Sequence, residues 1–353
     1  MISRHLKPVL TVVFALLSFL LPYTPQAAAD KSEGESRYYY IGQVGEANGV
    51  QMELIIDSED VRGSYYYDKK GIPLSLSGTL DHKDSTIRLE EVGDKRRITG
   101  IFKGKLTTEG ADYAKTIEGE WSKPGDGGVL PFKLTKVADY TSSTVSEGAK
   151  IEASYLYPDF LSKDPALQKI NTILRDEITT DRDKFIREAK EFFSANDSSG
   201  GWQQSLSYSI AYYSDGLISL TGELYSYTGG AHGNTYYKSS NYVLKDGQAV
   251  PIKLSALFNP GVDYKKALST YCVNNLLVKG AGWIVSGEIK SFSEKDLDVF
   301  AVSPRGIEFA FAPYAVGPYA QGSYFVTVPY RELRGIVNLE GPLSRFYKSD
   351  AKQ

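Results

Sequence analysis

Leu217-Ile-Ser-Leu-Thr-Gly-Glu-Leu-Tyr-Ser-Tyr-Thr-Gly-Gly-Ala-His-Gly-Asn-Thr-Tyr-Tyr-Lys-Ser-Ser-Asn-Tyr-Val-Leu244 reads as two strands joined by a glycine-rich loop, Thr228–Asn234. Tyrosines at 225, 227, 236 and 237 flank the loop, and His232 is the only histidine in the C-terminal two-thirds of the chain. Ser214-Asp215-Gly216 precedes the first strand and Lys245-Asp246-Gly247 follows the second. Asp-Gly readily takes positive φ angles, so both triplets signal hairpins, with partner strands at Trp202–Tyr213 and Ala249–Leu254. Two linked hairpins make an antiparallel sheet the centre of this region.

The flanking segments supply helices for that sheet. Asp164 before Pro165 is an N-cap followed by proline at the first helical position. Leu167, Ile170, Leu174 and Ile178 then give one buried face, continued by Phe185, Ala189 and Phe192/Phe193 to about Ala195. Ile151–Leu156, ending at Tyr157-Pro158, is an expected strand before this helix. Downstream, a helix is expected near Asp263–Leu277 and a short one at Ser293–Leu297. Strands follow at Val299–Val302, Glu308–Ala312 and Tyr324–Pro329, then a helical turn at Pro329–Gly335. The order predicts an α+β domain over residues 138–338, its helices packed on one face of an antiparallel sheet.

Residues 37–137 have a different texture. Short alternating runs at Tyr38–Val44, Val50–Asp57, Val61–Tyr67, Ile72–Leu80, Thr86–Glu91, Arg97–Leu106, Thr116–Trp121 and Leu130–Leu134 are separated by turn residues. Regular strand and turn spacing predicts an all-β antiparallel meander, either a barrel or a sandwich. Glycines beside strands, at Gly63, Gly78, Gly100, Gly104 and Gly119, mark bends or bulges. Val137–Ala149, with its Thr-Ser-Ser-Thr run, is the expected linker to the second domain.

Residues 1–29 predict a cleavable secretory signal. Arg4, His5 and Lys7 form a basic start, Val9–Leu21 an apolar core and Ala27-Ala28-Ala29 a small-residue cleavage site. The apolar run is short for a membrane span, and no later segment is long enough, so no stable span is expected after cleavage. The expected location is secreted or periplasmic. The 353-residue chain carries a net charge of −3, made more negative by losing Arg4 and Lys7. Without a Lys/Arg block this balance argues against nucleic acid as a partner. Cys272 is the single cysteine, which excludes an intramolecular disulfide and a thiolate cluster, and its apolar helical setting reads as core.

His232 invites comparison with a general base or a metal ligand. Zinc needs several His, Cys or carboxylate ligands, and past the signal segment the only other histidine is His82, on the other domain. No Gly-x-Ser-x-Gly elbow precedes a helix. Glu223 lies on the strand before the loop, but nothing in the sequence pairs it with a second carboxylate as glycosidase chemistry requires. No catalytic, metal or cofactor residues are assigned, and the count weighs against an enzyme. Tyrosine offers rigid contact area with a hydroxyl handle, although on sheets it also packs on neighbouring strands. The ligand-binding candidates are Tyr225, Tyr227, Gly229, Gly230, His232, Tyr236, Tyr314 and Tyr319.

Tyr157-Pro158 before a helix with Ile170-Asn171, then Tyr227-Thr-Gly-Gly-Ala-His-Gly233, resembles the extracytoplasmic module shared by the peptidoglycan deacetylase PdaC and the RsiV-type anti-sigma factors. Its second half is similar to Phe311-Ala-Pro-Tyr314, Gly317-Pro-Tyr-Ala-Gln-Gly322 and Val328-Pro-Tyr330. The resemblance covers residues 138–338 and implies binding rather than chemistry. In PdaC-type proteins deacetylation belongs to a separate catalytic domain, whose metal-site aspartate and paired histidines have no counterpart here. In the RsiV type the module receives lysozyme. The expectation is a secreted envelope binding protein for a lysozyme-like muramidase or peptidoglycan. Its alternatives are a cell-wall hydrolase using His232 and Glu223, or a structural envelope scaffold.

Overall fold

The computed structural model describes residues 35–348 except 94–96, 110–111, 126, 149 and 197–199; the expected signal segment lies outside them. Eight antiparallel strands come first: β1 (Ser36–Val44), β2 (Asn48–Asp57), β3 (Asp60–Tyr67), β4 (Leu74–Asp81), β5 (Thr86–Val92), β6 (Ile98–Glu109), β7 (Asp112–Ser122) and β8 (Val129–Glu147). Each pairs with the next, and β1 pairs with β8, so the meander closes into a barrel rather than a sandwich. Alternation decides the faces: Val50, Met52 and Leu54 of β2 point inward, Gln51 and Glu53 outward. A barrel of this strand number is just wide enough for side chains to fill it. Phe102 fills the centre edge-on, its ring 5.2 Å from Tyr65 and 5.1 Å from Phe132.

The strand glycines explain how the barrel closes so tightly. A Cβ on Gly42 would sit 1.9 Å from the Lys133 carbonyl oxygen, and one on Gly63 would sit 2.0 Å from that of Glu53. Only a residue without a side chain permits that approach between neighbouring strands.

The expected linker is strand instead. The 19-residue β8 pairs with β7 and β1 in its first half. Ala138–Glu147 then continues into a ladder with β9 (Ile151–Phe160). The Thr-Ser-Ser-Thr run reads as loop by composition, but its hydroxyl side chains also suit the solvated face of a strand. One strand therefore belongs to both domains.

After β9 the helix α1 (Pro165–Ala195) crosses over to β10 (Trp202–Ser214), which pairs parallel with β9. Among the described residues this is the one parallel pair in an otherwise antiparallel sheet continued by β11 (Leu217–Tyr227), β12 (Asn234–Lys245) and β13 (Gln248–Pro251). Asp164 caps α1 as its sequence predicts, Oδ1 accepting from Ala166 N at 2.8 Å. Leu167, Ile170, Leu174 and Ile178 pack on Leu206, Tyr208, Ile218 and Leu220 of the sheet. Both Asp-Gly hairpins form, by different turns. Asp246 and Gly247 take φ of +52° and +69°, whereas Asp215 and Gly216 turn without positive φ.

The rest of the chain packs on the sheet face opposite α1. It comprises α2 (Tyr264–Val278), α3 (Gly282–Val285), the antiparallel strands β14 (Phe300–Ser303), β15 (Gly306–Phe311) and β16 (Tyr324–Pro329), and α4 (Ser344–Lys348). Polar pegs fix it in place. Val302 N donates to Ser219 Oγ at 2.9 Å, Ser219 Oγ donates to Asn241 Oδ1 at 2.6 Å, and Asn241 Nδ2 donates to the Phe300 carbonyl at 2.8 Å. Cys272 lies in this core, where burial pushes its thiol up to about 12, as expected of an inert thiol.

The barrel is clamped to the sheet through Gln51. Its Oε1 accepts from Tyr213 N at 3.0 Å, and its Nε2 donates to the Tyr213 carbonyl at 3.0 Å. The side-chain amide thus pairs with β10 as a neighbouring strand would.

Candidate functional site

The Thr228–Asn234 loop connects the end of β11 to the start of β12. Gly229 and Gly230 take φ of +99° and +94°, which side chains disfavour, and Tyr227 Oη donates to the Gly230 carbonyl at 3.1 Å. Gly233 is needed for a different reason. A Cβ there would lie 2.3 Å from Tyr225 Oη, because the Tyr225 side chain folds over it. Two glycines shape the turn and the third makes room for a tyrosine.

His232 is held at the loop exit. Its Nδ1 lies 2.9 Å from the Gly233 carbonyl oxygen, which can only accept, so Nδ1 carries a proton and donates it. The imidazole stacks on Tyr319, with centroids 3.7 Å apart and planes 15° apart. Tyr314 extends the stack, its ring 5.6 Å from that of Tyr319. Tyr314 is 49% exposed and adopts φ of +67°, a left-handed conformation that costs a non-glycine residue energy.

The Tyr319 turn is itself tied down. It follows Pro318 and ends at Gly322, whose φ is +69°. Gln321 Oε1 accepts from Gly282 N at 2.8 Å, and Trp283 N donates to the Val316 carbonyl at 3.0 Å. These bonds fasten the turn to the start of α3. On β12 just past the loop, Tyr237 Oη donates to Ser323 Oγ at 2.9 Å, with its ring edge-on to Phe325 at 5.3 Å. The rings are thus presented on a braced frame.

Of the sequence candidates, the fold brings His232, Tyr314 and Tyr319 together and places Tyr225, Tyr227, Gly229 and Gly230 in the adjoining loop and strand. Tyr236 lies elsewhere. Strand alternation puts it on the α1 side with Lys238, which pairs with Glu177 and Asp181 at 2.8 and 2.6 Å. Tyr237, Gln321 and Ser323 hold the site but were not among the candidates. Only the Gly317–Gly322 motif gave a signal, for Gln321.

Glu223 shares a face with Tyr225, opposite Ser207 and Tyr237. It stands three residues back from the β11–β12 rung nearest the loop, about 10 Å along the strand. Burial raises its carboxyl above the usual glutamate range, and among the described residues it has no hydrogen-bond or ion-pair partner. Among the described residues no three His, Cys, Asp or Glu side chains gather as a metal-binding group, and no helix is long and apolar enough to cross a membrane.

Residues 144–235 match the family described as Deacetylase PdaC, and residues 255–331 match the protein of unknown function family DUF3298. The two matches lie in tandem along the chain, and the ring stack joins them. His232 comes from the first, Tyr314 and Tyr319 from the second. Among solved structures, a DUF3298 family member from Bacteroides fragilis is 19% identical, with a TM-score of 0.40 over 60% of this chain and 98% of its own. Another from Pseudomonas aeruginosa is 16% identical, with a TM-score of 0.41 over 57% of this chain and 93% of its own. None of the curated proteins matches the chain.

Proposed function

We propose, for a chain carrying these two modules in tandem, a non-catalytic binding protein of the bacterial envelope, exported by its N-terminal signal, that docks a lysozyme-like muramidase or cell-wall glycan. In this reading residues 37–137 are a barrel support and residues 138–338 the recognition domain. The single observation that carries it is the His232–Tyr319–Tyr314 stack. Three rings from two modules meet at the surface on a braced frame, and one of them is held in a strained backbone conformation. Rigid aromatic groups lose little entropy on binding and dominate contact energies.

The competing hydrolase reading requires His232 and Glu223 to act on one bond. His232 is engaged with Gly233 and Tyr319, and Glu223 stands three residues back along β11 from the rung nearest the loop. The geometry favours recognition. The test is a parallel pull-down of the secreted chain against muramidases and insoluble peptidoglycan. Retention of one of them, abolished by Tyr319→Ala and Tyr314→Ala together, supports the reading. Retention of neither, or retention indifferent to both rings, overturns it.

A further inference from the structure

The sheet has a second face beside the ring stack. Side chains alternate along each strand, so the residues opposite the α1 side form rows across β8 to β12. One row runs through Ser142, Leu156, Ser207, Glu223 and Tyr237. The next holds Thr144, Ser154, Ser205, Tyr225 and Thr235. Within these two rows every residue but Thr144 is half-buried and Thr144 is exposed, so the face is neither packed away as core nor fully open. The C-terminal half covers the far end at Ser219 and Ser239 and also meets Tyr237 through Ser323 and Phe325, and Arg37 of the barrel reaches the face at Ser209.

The chemistry of this floor is unusual for a protein interior or a protein interface. Leu156 is the only aliphatic side chain in the two rows; the rest are hydroxyls, tyrosines and one carboxylate. Glu223, at the centre, has no partner among the described residues and burial disfavours its charged form. The nearby cations are already used: Lys238 turns to Glu177 and Asp181 on the α1 side, and Arg37 pairs with Glu53 at 2.7 Å.

We infer that this face is a glycan-binding surface in which the Glu223 carboxylate receives the protonated amine of an amino sugar. The inference rests on the recognition reading and names a ligand class for the floor beside the ring stack. Each serine or threonine offers one donor and two acceptor lone pairs, which matches the mixed donors and acceptors of sugar hydroxyls. Tyr225, lying over Gly233, and Tyr237, held by Ser323 and Phe325, flank the carboxylate, and a half-buried tyrosine ring offers its remaining face to a sugar or an ammonium. An amine supplies the missing cation, whereas an acetylated nitrogen brings no charge to Glu223. A protein ligand would favour an apolar centre, whereas Leu156 is the only aliphatic side chain in these two rows.

The experiment titrates the secreted chain with a glucosamine tetramer and, separately, with an N-acetylglucosamine tetramer, by calorimetry or by NMR shifts. The amine tetramer is expected to bind at least about tenfold more tightly, and Glu223→Gln to remove about that tenfold preference, the scale of one charge-assisted hydrogen bond. Equal affinity for both tetramers, or a preference that survives Glu223→Gln, overturns the inference. Should neither tetramer bind while a muramidase or peptidoglycan is retained, the amino-sugar assignment fails and the recognition reading stands. Should muramidase retention itself depend on Glu223, the carboxylate serves a protein ligand and the glycan assignment fails. Thermal melts of Glu223→Gln show that lost binding is not lost folding.

Discussion

His232 and Tyr319 lie face to face with centroids 3.7 Å apart, one contributed by the PdaC-matching residues and the other by the DUF3298-matching residues. A stack at the surface stabilises by about 0.5–1.5 kcal/mol. His232→Ala is therefore expected to lower unfolding free energy by about 1 kcal/mol, while weakening partner retention much more by freeing Tyr319. His232→Phe keeps the stack and removes the ring nitrogens, so it should retain binding. Urea denaturation and pull-down of both variants check this. A requirement for the nitrogens, with His232→Phe as defective as His232→Ala, would revive a chemical role for the imidazole.

The loop glycines should respond differently to the same change. Gly230→Ala meets open space but inherits φ of +94°, a backbone penalty of about 1–2 kcal/mol. Gly233→Ala instead collides with Tyr225, so Tyr225→Ala should relieve it. A double-mutant cycle is expected to show coupling of Tyr225 with Gly233 and little with Gly230. The measurement is equilibrium denaturation of the two cycles, and additive effects at Gly233 would contradict the packing.

These cases show what the chain could and could not announce. The three glycines and the tyrosines marked the loop, because backbone freedom and aromatic surface are local properties of a sequence. That His232 meets Tyr319 is a non-local fact, carried by how β14 docks on the sheet and how α3 holds the Tyr319 turn. Local patterning likewise foretold the eight short strands and the capped α1 helix. Barrel against sandwich turned on whether β1 reaches β8, which no local pattern encodes. The Thr-Ser-Ser-Thr stretch misled because hydroxyl residues suit both loops and a polar strand face. Gln51 gave no signal at all, since a polar residue on the outside of a barrel reads as solvated until a second domain covers it.

Gln51 satisfies both the N–H and the carbonyl of Tyr213 and also accepts from Tyr39 Oη at 2.9 Å. Gln51→Leu leaves those buried groups unpaired, at about 1–3 kcal/mol for each backbone group left without a partner. The expected loss for the two groups is about 2–6 kcal/mol, larger than for a typical surface substitution. Because β8 is shared, barrel and sheet should still unfold in a single transition, followed by tyrosine fluorescence and circular dichroism together. Two separated transitions in the wild type would show that the clamp and the shared strand do not couple the domains.

Alkaline pH tests the same interface. Burial raises the hydroxyls of Tyr39, Tyr66 and Tyr140 well above the ordinary tyrosine value. Folded, they hold their protons where the unfolded chain has begun to lose them, so their contribution is intact below about pH 10 and declines above it. Tyrosine ionisation followed by absorbance is expected to lag until the fold is lost, with both changes coinciding. Full ionisation of all tyrosines in a folded protein would show these side chains to be open to solvent.

Glu223 follows the same sign in a lower pH range. Its carboxyl is raised by burial, so between the ordinary glutamate range and its folded value the native state holds a proton that the unfolded chain has released. That contribution is intact below about pH 4 and is lost as pH rises through the folded value. At neutral pH the half-buried charge is therefore a cost that nothing in the described chain offsets. Glu223→Gln should raise stability at pH 7 and leave it unchanged at pH 3, read from urea denaturation at the two values. A residue that weakens the free protein and strengthens a complex is what a binding site is expected to contain. If Glu223→Gln instead destabilises at pH 7, the carboxylate is part of the scaffold, and the floor of the sheet loses its central ligand group.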